Sequence, residues 1–237
     1  MAKIYITGDK HREYDNIVYF CDRFMTTKRD VMIVLGDNGI NFLSKKKDDE
    51  VKNLLQGLPI TFILIRGNHD RRPSDVKSYK KKLVVRENFS GEFFVEDEYP
   101  DLLFTTEGYY SFKVGEESKT AYIINGAYSV DKWLRLQSGR AWFNNEQLSK
   151  EEMDAVDKEL IGHKVSYIMS HTCPQKYEPV EMFIPFVDQI TVDKTMEKWL
   201  DKIEDGVEYD KWFCGHWHVS KSIDKMRFMY HDIVILE

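Results

Sequence analysis

Five of the seven histidines stand in short clusters of Asp, Asn, Gly and His spread from Asp9 to His218. In chain order these are Gly8-Asp9-Lys10-His11, Gly36-Asp37-Asn38-Gly39, Gly67-Asn68-His69-Asp70, Ser170-His171-Thr172 and Gly215-His216-Trp217-His218. Leaving His69 aside, they offer seven plausible metal ligands: Asp9, His11, Asp37, Asn68, His171, His216 and His218. One ion takes three or four side-chain ligands, so seven suit two ions that share a carboxylate. Asp9 and His11 can turn toward one ion from a single tight loop, and His216 and His218 can do the same with residue 217 pointing away. Asp37 carries two oxygens and can bridge, while Asn68 offers a neutral amide oxygen. This mixed nitrogen and oxygen set favours Mn, Fe, Zn or Co over Ca, and the scarcity of thiolate argues against a structural zinc site. Two ions ~3.5–4 Å apart can hold a bridging hydroxide and both ends of an in-line phosphoryl displacement. His69, beside a ligand but surplus to coordination, can protonate a leaving oxygen or stabilise the charge that develops there.

The elements around these clusters must aim them at one place. Ile4-Tyr5-Ile6-Thr7 reads as a strand ending at Gly8-Asp9, and Tyr14 to Thr26 has the apolar period of a helix. Val31 to Leu35 is a short apolar run that ends at Gly36-Asp37, and a charged helix follows over Lys46 to Gln56. Ile60 to Ile65 is a third buried strand, ending at Gly67-Asn68-His69-Asp70. Strand, helix, strand, helix, strand predicts a parallel sheet with every motif at a carboxyl end, where open α/β sheets bind their ligands. Glu92 to Tyr128 reads as short strands split by turn residues. Helices are predicted over Asn144 to Leu160 and Val192 to Ile203, and strands end at His171 and at Gly215-His216. Met226 to Leu236 closes the chain as strands. With no repeat or low-complexity linker, residues 1–237 read as one domain of class α/β, two facing mixed sheets flanked by helices.

Composition narrows the partners. The 237 residues are 42% hydrophobic and 14% aromatic, enough for a substantial core. Lys plus Arg number 34 against 40 Asp plus Glu, a net charge of −6, which argues against a duplex nucleic acid partner. A small-molecule phosphoester or nucleotide substrate remains compatible with it. Cys21, Cys173 and Cys214 are odd in number and far apart, which fits free thiols in a reducing compartment. No signal-peptide core and no run of ~18 apolar residues is present, so the expectation is a cytoplasmic protein with no membrane partner.

The ordered set Asp-x-His, Gly-Asp, Gly-Asn-His-Asp, His, Gly-His-x-His resembles the calcineurin-like metallophosphoesterases. The resemblance spans Asp9 to His218. It implies a first metal held by Asp9, His11, Asp37 and His218 and a second held by Asp37, Asn68, His171 and His216. Catalysis would fall to His69, with Asp70 beside it. It implies a β-sandwich flanked by helices and a hydrolase of phosphomono- or phosphodiesters acting through a metal-bridging hydroxide. A serine/threonine phosphoprotein phosphatase and a non-hydrolytic scaffold of the same fold are the alternatives. The phosphoprotein branch reads Gly-Asp-x-x-Asp-Arg-Gly, whereas Ile40 and Asn41 stand here where Asp and Arg would be. The partner of His69 and the grip on phosphate must therefore come from elsewhere. Arg66, Arg71 and Arg72 bracket the third cluster, and Arg135 and Arg140 lie in the aromatic and basic stretch from Tyr128 to Trp142 that is expected to receive substrate. Lys10 and Arg12, flanking His11, are expected to add charge at the mouth. The runs Lys45-Lys46-Lys47 and Lys80-Lys81-Lys82 read as solvated faces.

Overall fold

The computed structural model describes residues 2–237. The first half of the chain alternates β1 (Ile4–Thr7), α1 (Asp15–Phe24), β2 (Val31–Val34), α2 (Lys45–Gly57) and β3 (Thr61–Leu64). Every residue of the three strands is buried, since helices cover one face and the central core covers the other. β4 (Lys80–Val85), β5 (Phe89–Val95), β6 (Leu102–Thr105), β7 (Gly108–Val114) and β8 (Glu117–Ile124) follow as a run of strands. The remainder is α3 (Lys132–Gln137), α4 (Lys150–Leu160), β9 (Lys164–Ser170), α5 (Thr195–Gly206), β10 (Glu208–Cys214), β11 (Lys221–Ile223), β12 (Met226–Phe228) and β13 (Ile233–Ile235).

The fold is mixed α/β, but the two separate sheets expected from the sequence are one. All thirteen strands among the described residues join a single sheet in the order β11-β12-β10-β9-β8-β7-β5-β6-β3-β2-β1-β13, with β4 hairpinned onto β5. β1, β2, β3 and β6 run parallel, as do β8, β9, β10 and β12. The antiparallel pairings of β5 with β6 and β7, and of β7 with β8, stitch the two halves together. The sheet curls so that both halves share one core, in which Ile6, Ile33 and Ile63 belong to the same cluster as Ile123, Met169 and Phe213. On the outer faces α1 and α2 cover the first half, through Ile17 and Leu55. α4 and α5 cover the second, through Leu160 and Ile203.

Three local readings change. Lys80, Lys81 and Lys82 are exposed as expected but lie on a strand, because antiparallel pairing with β5 supplies backbone partners that a lone charged run lacks. Within the aromatic and basic stretch from Tyr128 to Trp142, to which the sequence assigns no element, Lys132–Gln137 is a short helix. The helix expected from Asn144 starts at Lys150, where Ser149 and Glu152 form a reciprocal capping box that a longer helix would forfeit. No helix among the described residues is long and apolar enough to cross a membrane.

Candidate metal centre

The five clusters leave the carboxyl ends of β1, β2, β3, β9 and β10, so parallel pairing in both halves delivers them to one end of the curled sheet. Their turns are tight enough to need unusual backbone. His11, Asp37, His216 and His218 all have positive φ, of 45°, 47°, 67° and 49°. Such conformations are costly for residues with a Cβ and persist where the surroundings over-determine them. Glycine supplies the clearance: a Cβ at Gly67 would fall 2.0 Å from Asp37 Oδ1, and one at Gly36 would fall 2.0 Å from His171 Nδ1.

Backbone hydrogen bonds tie the loops to one another. The amides of Lys10 and His11 donate to the Asp37 carbonyl, at 3.2 and 2.7 Å, and Gly215 N donates to the His171 carbonyl at 2.9 Å. His216 N donates to Asp9 Oδ1 and His69 N to Asp37 Oδ1, both at 2.9 Å. Each buried carboxylate thus has its Oδ1 held by the neighbouring cluster, which turns Oδ2 toward imidazole. Asp9 Oδ2 lies 3.3 Å from His218 Nε2, and Asp37 Oδ2 lies 3.6 Å from both His11 Nε2 and His69 Nδ1. His11 Nε2 and His218 Nε2 are themselves 2.9 Å apart.

Around His171 the proton positions follow from the partners. Its Nδ1 sits 2.7 Å from the Leu35 carbonyl, an acceptor only, so Nδ1 carries the proton and Nε2 a lone pair. That lone pair faces Asn68 Oδ1 at 2.9 Å and Asp37 Oδ1 at 3.4 Å. Asn68 is oriented the same way, its Nδ2 donating to Ser129 Oγ at 2.9 Å. Ser129 in turn donates to the buried Glu146 at 2.6 Å. Asp9 Oδ2 is buried with no hydrogen-bond partner among the described residues. Electron-rich atoms facing one another without protons between them fit cations. Asp9, His11 and His218 form one group of the right spacing, and Asp9, Asp37 and His171 another. Asp9 is common to both, and Asp37 reaches toward both, one oxygen turned to His171 and the other to His11.

The charges on these groups follow. Burial pushes the Asp37 carboxyl up, but His69, His171 and His11 outweigh it and hold it well below the ordinary carboxylate range. Asp9 is likewise lowered, burial being overcome by His218 and His171. Burial, then the charge of His171, brings His216 down to about 3, which leaves one of its ring nitrogens unprotonated. His69 is lowered by burial and by Arg135.

The remaining candidates scatter. Arg135 is brought to the centre: one terminal nitrogen lies 2.7 Å from His69 Nε2, and its Nε donates to Asp131 Oδ2 at 2.7 Å. Arg66 points away, its buried guanidinium donating to the Glu146 carbonyl at 2.7 Å. Arg72 is spent on Glu152 and on the carbonyls of Asn145 and Gln147, and Arg71 lies over the ring of Phe143. Arg140 is exposed beyond the end of α3. Asp70 follows His69 in sequence but turns inward, accepting from Asn38 N, Gly39 N and Gly67 N at 3.0, 3.1 and 3.0 Å. It clamps the second and third clusters together. Lys10 is buried on the Tyr230 carbonyl, and Arg12 donates to the Gly39 and Lys47 carbonyls, so neither adds free charge at the mouth. Cys173 and Cys214 are free, buried thiols in the core of the second half.

Two neighbours of His69 escaped the sequence reading. Asp131 Oδ1 lies 3.9 Å from His69 Nε2, and the Phe42 ring stacks on the imidazole at 5.9 Å between centroids. The four-residue spacing of Asp131 and Arg135 was the available signal, being that of a helical ion pair.

The chain is similar to several known proteins. An uncharacterised protein of Methanocaldococcus jannaschii, MJ1445, is 29% identical over 106 residues, 35% of this chain. The chain spans 58% of that relative's length. Two solved structures are similar over nearly the whole chain. A protein of unknown function from Aquifex aeolicus, AQ665, has 14% identity, a TM-score of 0.40, and coverage of 98% of this chain and 90% of its own. The phosphopantetheinyl hydrolase PptH of Mycobacterium tuberculosis has 13% identity, a TM-score of 0.49, and coverage of 97% and 88%. The family description that matches, over residues 2–220, is that of the calcineurin-like phosphoesterases, and the chain belongs to that family.

Proposed function

We propose that the protein is a binuclear metal-dependent hydrolase of phosphomono- or phosphodiesters. Asp9, His11, Asp37 and His218 would hold one cation, and Asp37, Asn68, His171 and His216 the other. The observation that carries this reading is the pair of Asp37 oxygens, each turned to a different histidine lone-pair environment. Bound there, divalent or trivalent ions supply Lewis acidity and lower the pKa of a water enough for it to attack phosphorus at neutral pH.

The protein's own groups do the rest. His69 stands beside the bridging carboxylate with Nε2 accepting from Arg135, a donor only. When a phosphoester enters, Arg135 is free to turn one N–H to a phosphoryl oxygen. Freed of Arg135, His69 Nε2 can take up a proton from solvent and then donate it to the leaving oxygen. Asp131, bonded to the Arg135 Nε, holds that guanidinium in place. Arg135 and Asp131 thereby occupy the role left open by Ile40 and Asn41. Ile40 is fully buried, and Asn41 donates to the Tyr79 hydroxyl at 3.1 Å. A single guanidinium at the centre suits diesters and small nucleotides at least as well as phosphoprotein.

The test is metal-reconstituted protein assayed on aryl phosphates and aryl diesters of graded leaving-group pKa. His69→Ala is expected to keep its metal content and lose about 10²–10⁴-fold in turnover. The loss should be smaller on good leaving groups. Equal losses across the series, or loss of metal with the histidine, would remove His69 from the acid role.

A further inference from the structure

The site has an apolar wall that the chemistry of its floor does not use. The cavity over the ligands encloses about 290 Å³, and its wall is Met182, Phe183, Ile184 and Val187 with Val130 opposite. A second hollow of about 340 Å³ shares Val130 and continues outward over Trp133, Leu136 and Val192. Together they form a groove between α3 and the connection from β9 to α5. Its edges are unusually bare: Trp133 is 69% exposed, Leu136 56% and Ile184 48%. Beyond them Phe186 is 97% and Ile190 92% exposed. Exposed apolar side chains gathered along a cavity mark a binding site.

We propose that the substrate carries an apolar, chain-like group on its phosphate, and that this chain lies in the groove while the phosphate meets the floor. The proposal rests on the phosphoesterase reading above and adds the class of substrate. Three observations select this occupant. First, the two hollows meet at Val130 and the inner one has the ligand set as its floor, so an occupant of both is continuous with the reacting group. Second, the wall offers little to a sugar, base or peptide. Lys194 is paired with Glu178 at 2.8 Å and covers the Phe183 and Trp217 rings, and the Gln189 amide nitrogen donates to the Val187 carbonyl at 3.4 Å, so few polar atoms of that wall are left for a ligand. Third, the wall has a defined shape. Short 3₁₀ turns at Val180–Met182 and Gln189–Thr191 set it, and Asp188 caps the second by accepting from Ile190 N at 3.0 Å.

The experiment is binding of n-alkylphosphonates, ethyl to octyl, to the metal-reconstituted full chain. All are kept below their critical micelle concentrations, and binding is read from tryptophan fluorescence. Kd should fall about two- to fourfold per added methylene until the groove is full. Fourfold corresponds to the ~0.8 kcal/mol of a fully buried methylene. Ile184→Ser with Val187→Ser should flatten the series, and Leu136→Ser on the opposite side should shorten it. Leu83→Ser, more exposed still at 70% but remote on β4, should keep the slope. A flat series in the parent protein overturns the proposal, as does binding to phosphatidylcholine vesicles with no chain-length dependence among the monomeric probes. Turnover of 4-nitrophenyl phosphate is measured in the same preparation. Turnover with a flat series removes the groove assignment alone. Absence of turnover with every metal removes the catalytic reading on which it rests.

Discussion

The floor and the wall of the central cavity are built in opposite ways. On the floor Asp9, Asp37, Asn68 and His171 are buried, and all four have a side-chain atom fixed by a hydrogen bond from or to another segment of the chain. The wall is a long irregular connection whose apolar residues face solvent, with single helical turns as its only regular structure. Metal chemistry needs ligand atoms held within about half an ångström, which strand ends on a packed sheet provide. Recognising an apolar group needs only surface of the right kind, and a connecting loop supplies that while leaving the scaffold unaltered.

The sharpest break of this contrast is Asp37→Ala. Removing the carboxylate proposed to bridge should release both of the proposed metals together and lower kcat/KM by about 10³-fold or more, since several kcal/mol of charge stabilisation is lost. Metal analysis with kinetics decides it, and two ions retained at parental affinity would refute the bridging assignment. Gly67→Ala is gentler. Its Cβ would press on Asp37 Oδ1, so metal affinity should fall by about 10- to 100-fold, as when groups that orient ligands are disturbed, while the sheet stays folded. Unchanged affinity would mean that the loop shifts freely and the floor is less rigid than its hydrogen bonds imply.

Behind the floor, Glu197 on α5 accepts from Thr172 Oγ1 at 3.0 Å, and its other oxygen is buried without a partner among the described residues. Burial pushes its carboxyl up to about 7, against an ordinary 4.5. The folded state therefore holds this proton more tightly than the unfolded state does. The stability it contributes is complete below about pH 4.5 and is lost as pH rises through about 7. Glu197→Gln should match the parent near pH 4 and exceed it by about 2–3 kcal/mol at pH 8. Denaturant titrations at the two pH values check this, and a difference independent of pH would contradict it. The smallest effect belongs to the wall. Ile190→Ser should change stability by no more than about 0.5 kcal/mol and leave metal content unaltered, because the residue packs on almost nothing. A larger loss in the same titration would mean that the wall is structural after all.

Much of this is legible in the sequence. The three buried strands and two helices of the first half have clear apolar periods and Gly-Asp or Gly-Asn stops, so their order implied a parallel sheet with the clusters at one end. Local pattern suffices there because each element buries its own face. The joining of the two halves into one sheet was not legible. It depends on β5 pairing with both β6 and β7, contacts that no single segment announces.

The same division runs through the site. The types and order of Asp9, His11, Asp37, Asn68, His171, His216 and His218 were visible in the chain, since ligand chemistry restricts residue type and tight turns demand glycine nearby. Direction was not. His69 and Asp70 are adjacent, yet one faces the cavity and the other is consumed by the amides of Asn38, Gly39 and Gly67. Arg66 and Arg72 flank the same cluster and both turn inward to carbonyls or to Glu152, whereas Arg135, distant in sequence, arrives beside His69. Where an irregular backbone points a side chain depends on φ at each turn and on which buried carbonyls and carboxylates need a donor. Both are settled only when the two halves of the sheet close around a common core.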